Sequence, residues 1–269
     1  MPDFYAHLIF GGKVLSSLPG ELRERITSQL ESYICGQYGP DPMFFLGRRS
    51  RAIAQRVHRG PVKLPIANLS GAVAKSVPES DGYAAGFLCH FVLDSVCHPY
   101  VLSQMGRSAL SHAAIEGEFD RFLMAQDGIL ATRTMPMPPM SKNTYVYAAG
   151  AIPYGISALT YNHALASYWI ASQAMTAAGG TPLSKLVDLA GRLPGLYSLR
   201  GSVSGYAPRP EAFESNRALA LLLESAVEDC SELIEGFFAA ADEGEIFYTP
   251  RLELNFYGKL TDVYTKVKK

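Results

Sequence analysis

Residues 82–100 read GYAAGFLCHFVLDSVCHPY, and residues 112–120 read HAAIEGEFD. The spacing of apolar residues predicts a helix over Tyr83–His98 in a core-like setting, and a second helix over Ser108–Met124. His90 and Asp94 stand four residues apart, and His98 follows four further on. At about 3.6 residues per turn, all three fall on nearly one helical face. His112 and Glu116 repeat the four-residue spacing on the next predicted helix. Imidazole and carboxylate are the ligands expected for zinc when thiolate is absent. Two such pairs on adjacent helices can close around metal as helical di-metal sites do. An unpaired polar group in a core-like segment costs ~1–3 kcal/mol, so bound metal accounts for His98 better than bare burial.

Five of the six histidines lie in the first 112 residues. Beyond the two helical pairs, His7, Asp41 and His58 remain to complete the coordination. Asp41 lies in CGQYGPDPMFF (residues 35–45), where Pro40 and Pro42 fix the backbone and present the carboxylate rigidly from a loop. Cys97 is three residues after Asp94 and faces the same side of an unbroken helix. It ranks behind His98 as a ligand because Pro99 predicts that the helix is ending there. His163 has no acidic partner four residues away and reads as a hydrogen-bonded core or surface residue.

Helical spacing recurs over Glu21–Ile34, Tyr145–Met175, Leu183–Leu193 and Glu211–Ala241, whereas alternating strand patterns are short and few. The expected fold is all-α, a single multi-helix globular domain with the metal cluster between helices. Residues 1–130 form its ligand-bearing half, and residues 140–269 form a helical half that completes the core. Stretches dense in Pro or Gly at Gly39–Pro42, Gly60–Pro65, Met135–Pro139 and Gly201–Pro210 are expected to be loops. The four cysteines have no CxxC spacing, which argues against a disulfide framework or a cysteine zinc knuckle.

Lys and Arg number 24 against 25 Asp and Glu, a net charge of -1 that provides no global field for nucleic acid or anionic lipid. Phosphate recognition must then be local, and a nucleic-acid partner is not expected. The N-terminal stretch MPDFYAHLIFGGKVL has no basic lead into an apolar run and no small-residue cleavage site, so a cytoplasmic protein is expected. No apolar run approaches the ~20 residues of a membrane span in this reading, and no transmembrane segment is expected.

In chain order His7, Asp41, His58, His90, Asp94, His98, His112 and Glu116 give an early His, a GPD-like Asp, a lone His, HxxxD, a further His and HxxxE. This order resembles the zinc-dependent phospholipase C family, and the likeness covers about the first 120 residues. The resemblance implies an all-helical fold holding two or three zinc ions. Asp94 would be shared between two metals, with His58 and His90 ligating beside it and Asp41 at or next to that metal. His98, His112 and Glu116 would hold a second zinc, and His7 would serve a third. Secreted members complete that third site with an N-terminal Trp. Here, where the chain reads Met1-Pro2-Asp3, the site is expected to be weaker or to be completed by Asp3.

The activity implied is hydrolysis of a small-molecule or lipid phosphate ester, with Asp41 as the general base that holds or deprotonates the attacking water. Arg48, Arg49, Arg51, Arg56 and Arg59 surround His58 in GRRSRAIAQRVHRG, and a guanidinium fork suits a second phosphate or polar head group. A solvated helix face is the plainer reading of that run. Tyr38, Phe44 and Phe45 flank the Asp41 loop, and Tyr38, Phe44 and Arg48 are the substrate-binding candidates. A single-strand zinc nuclease and a helical protein with a purely structural metal cluster are the competing readings.

Overall fold

The computed structural model describes residues 4–105, 110–134, 137–191, 193 and 201–261. Among these the chain forms one all-α globular domain, and its only β pairing is an isolated bridge between Leu254 and Leu260. The helices are α1 (Phe4–Ser17), α2 (Gly20–Thr27), α3 (Leu30–Gly36), α4 (Arg48–Arg59), α5 (Lys63–Val73) and α6 (Ser80–Met105). They continue as α7 (His112–Gln126), α8 (Thr144–Ala151), α9 (Ala158–Ala178), α10 (Pro182–Ala190) and α11 (Phe213–Asp242). One continuous core runs from Phe4 to Phe256 and draws on both halves of the chain.

Helix α6 is the axis of the fold. It is apolar around nearly its whole circumference, so it is buried on all sides, as a helix without a polar face must be. α1, α3, α5, α7, α8 and α11 pack against it. By length and composition α6 is also long and apolar enough to cross a membrane, which corrects the expectation that no run would qualify. In the fold 72% of its apolar window is buried by neighbouring helices.

Several boundaries differ from the sequence reading. The predicted helix Glu21–Ile34 is broken at Ser28–Gln29 into α2 and α3, and Tyr145–Met175 is broken around Pro153 and Gly155 into α8 and α9. Gly155 takes φ +64°, which terminates the turn Ile152–Tyr154 and resets the chain direction. α1 and α5 arise where no helix was expected, α4 takes up the arginine run as the solvated helix face read there, and Pro65 lies in the first turn of α5, where a missing N–H is tolerated. Asp41 opens a buried 3-10 turn, Asp41–Phe45, and not an open loop. The helix does not end at Pro99. α6 continues through it to Met105.

Candidate metal centre

The eight expected ligands are brought to one region by five parts of the fold. α6 carries His90, Asp94 and His98 on one face, each four residues from the next. α7 carries His112 and Glu116, and its register is set by Ser111, whose hydroxyl accepts from the Ala114 amide at 3.2 Å. α1 contributes His7, and the last turn of α4 contributes His58. Asp41 arrives through the tight segment 38–41. Gly39 takes φ +51°, and a Cβ there would lie 2.3 Å from the His90 ring, so only glycine lets this segment lie against the imidazole.

The ligand atoms fall into three groups: His7, His90 and Asp94; Asp41, His58 and His90; and His98, His112 and Glu116. Within each, one ligand atom per residue lies within 4.8 Å of the others, a spacing that can hold a metal ion. Asp94 sits at the junction. Its Oδ1 is 3.4 Å from His7 Nε2, and its Oδ2 is 3.3 Å from His90 Nε2, 3.7 Å from His98 Nδ1 and 4.0 Å from His58 Nε2. Asp41 Oδ1 is 3.1 Å from His58 Nε2. Glu116 Oε1 lies 2.6 Å from His112 Nε2 and 3.2 Å from His98 Nε2. The His7 and His90 rings stack at 4.2 Å.

The second nitrogen of three of these rings decides what the first can do. His58 Nδ1 lies 2.9 Å from the Ala54 carbonyl, His90 Nδ1 3.0 Å from that of Gln37, and His98 Nδ1 2.7 Å from that of Phe256. A carbonyl only accepts, so each Nδ1 carries a proton, and a ring with no second proton turns an Nε2 lone pair toward the carboxylates. This is the backbone-anchored arrangement of metal-ligating histidine. A lone pair facing a carboxylate oxygen is repulsive unless a cation or a second proton lies between them. His90 Nε2 is fully buried and has no hydrogen-bond partner of good geometry among the described residues. The residues therefore fit a bound metal.

The electrostatics agree. Asp41, Asp94 and Glu116 are buried, and their ion-pair partners among the described residues are all histidines. Without metal, burial works against charge on His98, but the carboxylates of Asp94 and Glu116 outweigh it and push the ring up to about 10. Burial is outweighed in His58 as well, by Asp41 first and then Asp94, and its pKa is raised. Burial alone would favour neutral acids at Glu116 and Asp94. His112 and His98 hold Glu116 well below the usual carboxylate range, and His98, His90 and His7 do the same for Asp94. A divalent cation would replace the extra ring protons as the counter-charge.

Two supporting features escaped the sequence reading. Pro99 has no N–H to offer the Ser95 carbonyl, and the turn 255–258 packs over this gap. Gly258 takes φ +66°, and a Cβ there would stand 2.3 Å from the Ser95 oxygen. So docked, Phe256 gives its carbonyl to His98 and its amide to the His58 carbonyl at 3.2 Å, and Tyr257 lies 5.2 Å from the His98 ring. Burial and the Asp94 charge push the Tyr257 phenol up. The second feature is Asp120, eight residues after His112 on α7. Its carboxylate accepts from the amides of Tyr5 at 3.1 Å and Ala6 at 2.9 Å, pinning the first turn of α1 directly before His7. HAAIEGEFD contained Asp120, but only the approach of α1 gives it a partner.

The remaining candidates disperse. The Phe44 ring packs 5.2 Å from His58, whereas Tyr38 lines a separate cavity and Phe45 packs on Tyr168. Arg48, Arg49, Arg56 and Arg59 are exposed along the outer side of α4, and Arg51 reaches the Phe44 carbonyl at 3.4 Å. Cys97 is half-buried and His163 exposed, and neither belongs to the three groups. Asp3 lies outside the described residues. Comparison with protein-family models, with curated proteins and with solved structures gives no match.

Proposed function

We propose that the chain is a metal-dependent phosphoric ester hydrolase of the zinc phospholipase C type. One observation carries this reading: the eight residues that follow the family's order in sequence meet in three groups, two of which share His90, while Asp94 of the first lies 3.7 Å from His98 of the third. Zinc, the metal proposed here, supplies Lewis acidity and a water whose pKa falls toward ~7 when it is bound at such ligands.

The chain's own groups then have separable roles. His58, His90 and His98 are oriented by their backbone hydrogen bonds, so little ring reorientation remains when they ligate. Asp94 neutralises charge between the groups. Asp41, on its proline-flanked turn, holds the attacking water and accepts its proton. The approach for a small or lipid phosphate ester lies on the side of His112, whose side chain is 30% exposed. Arg48 and the other exposed arginines of α4 offer guanidinium groups for a second phosphate or polar head group.

The test is metal content by mass spectrometry on protein purified without chelator, run beside hydrolysis of bis(p-nitrophenyl) phosphate and of phospholipid. Two or three zinc ions per chain with chelator-sensitive turnover, lost in Asp41→Asn, is the expected result. Bound metal without turnover on either ester sinks the hydrolase reading. The burial of seven of the eight ligands favours one other reading, a cluster that only stabilises the fold. In that case chelation unfolds the protein, whereas a catalytic cluster is silenced with the helices intact.

A further inference from the structure

Tyr257 belongs to none of the three ligand groups, yet the fold places it beside them. Its ring lies 5.2 Å from that of His98 and 6.4 Å from that of His58, which come from different groups and different helices. The backbone fixes it there. Asn255 Oδ1 accepts from the amides of Tyr257 at 2.9 Å and Lys259 at 3.1 Å, and Asn255 Nδ2 donates to the Arg59 carbonyl at 3.3 Å. Phe256, the residue before it, is bonded to His58 and His98 through its own backbone.

The hydroxyl end lies on the side of the ligand groups. After burial, the charge that most raises the phenol is Asp94, Asp41 and Glu116 add to it, and Arg59 opposes them. The three carboxylates come one from each group, and the charge of a phenolate resides at its oxygen, so that oxygen stands within reach of the whole centre. It is also open. Tyr257 is half-buried, its hydroxyl has no hydrogen-bond partner among the described residues, and, unlike the hydroxyls of Tyr38 and Tyr161, it is not sealed from solvent.

A phenol is protonated at neutral pH and donates, so its complement is an acceptor oxygen on a molecule that enters from solvent. Arg59 is the arginine of the α4 run whose charge acts on the same oxygen, and a cation beside a neutral donor favours an anion over a neutral ligand. We propose that Tyr257 binds substrate, its hydroxyl donating to a non-bridging phosphoryl oxygen of the ester. The choice of phosphate rests on the hydrolase reading, whereas the placement of the phenol does not.

The test follows nitration of Tyr257 by tetranitromethane in the full zinc-loaded chain, mapped by peptide mass spectrometry with and without inorganic phosphate. Phosphate should slow nitration of Tyr257 saturably, and only when zinc is bound, while the exposed Tyr145, Tyr206 and Tyr248 react unchanged. Tyr257→Phe keeps the ring on His98 and should keep the full zinc content. It should weaken phosphate binding in calorimetry and lower kcat/KM for bis(p-nitrophenyl) phosphate, each by about tenfold, the equivalent of one hydrogen bond to a charged group. No protection of Tyr257, loss of zinc from Tyr257→Phe, or unchanged phosphate affinity in that variant would each overturn the proposal. Wild-type turnover with an unprotected Tyr257 leaves the hydrolase reading standing without this residue, whereas saturable protection without turnover keeps the phenol at a phosphate site and removes the hydrolysis. The protection experiment uses the unmodified chain, so it decides the matter even if the variant does not fold.

Discussion

Asp120→Asn isolates the connection between α7 and α1. The carboxylate accepts two buried backbone amides, from Tyr5 at 3.1 Å and Ala6 at 2.9 Å. Asparagine is nearly isosteric but keeps a single acceptor oxygen, and its NH2 then faces the second amide. One charge-assisted bond is lost and one buried N–H is left unsatisfied, for roughly 2–3 kcal/mol in all. At about 2–4 °C per kcal/mol for a large domain, the melting temperature should fall by roughly 5–10 °C. The more specific consequence concerns metal. His7 follows Ala6 directly and reaches Asp94 at 3.4 Å, whereas His98, His112 and Glu116 are held by α6 and α7 whether or not α1 is anchored. Mass spectrometry should therefore find one zinc fewer per chain, with the others retained. Asp127→Asn, which removes only the charge from the exposed acceptor of the Tyr5 hydroxyl, is the control and should shift stability by under about 1 kcal/mol. Wild-type stability in Asp120→Asn, or simultaneous loss of every metal, would refute the reasoning.

The pH dependence of stability should have opposite signs with and without metal. In chelated protein His98 is raised to about 10, so its stabilising contribution is complete below its unfolded value of ~6.5 and is lost as pH climbs toward 10. The loaded protein needs unprotonated rings, so its melting temperature should instead rise with pH through the neutral range, and parallel slopes in calorimetry would argue against metal on His98. Asp94→Asn should reduce the affinity of both groups that flank it, read as at least a tenfold weaker zinc dissociation constant in chelator competition, and unchanged affinity would remove Asp94 from its shared position. Gly258→Ala should destabilise the fold by roughly 2–4 kcal/mol in urea titration, because a Cβ at φ +66° also meets the Ser95 oxygen at 2.3 Å. A loss below about 1 kcal/mol would mean that the turn can withdraw from α6 freely.

The all-helical class and the two helical pairs were legible because both are local. A four-residue spacing puts His90 with Asp94, and His112 with Glu116, on one face of any α-helix, and no tertiary contact is needed to predict it. The apolar length of Tyr83–His98 likewise announced a core helix. The breaks at Ser28–Gln29 and Pro153–Gly155, and the passage of α6 through Pro99, were less legible. Whether proline or glycine ends a helix depends on what else can meet the freed carbonyls, and at Pro99 that is the turn around Gly258, some 160 residues later in sequence.

Which atoms face each other was decided by tertiary structure alone. The sequence offers His58, His90 and His98 as candidate ligands, but only the packed chain shows the carbonyls of Ala54, Gln37 and Phe256 accepting from their Nδ1 atoms and turning the Nε2 atoms inward. The meeting of Asp120 with α1 belongs to the same kind. Local spacing determines which side chains share a helix face. The distances between faces come from the close packing of separate helices, and no periodicity within a single helix encodes them.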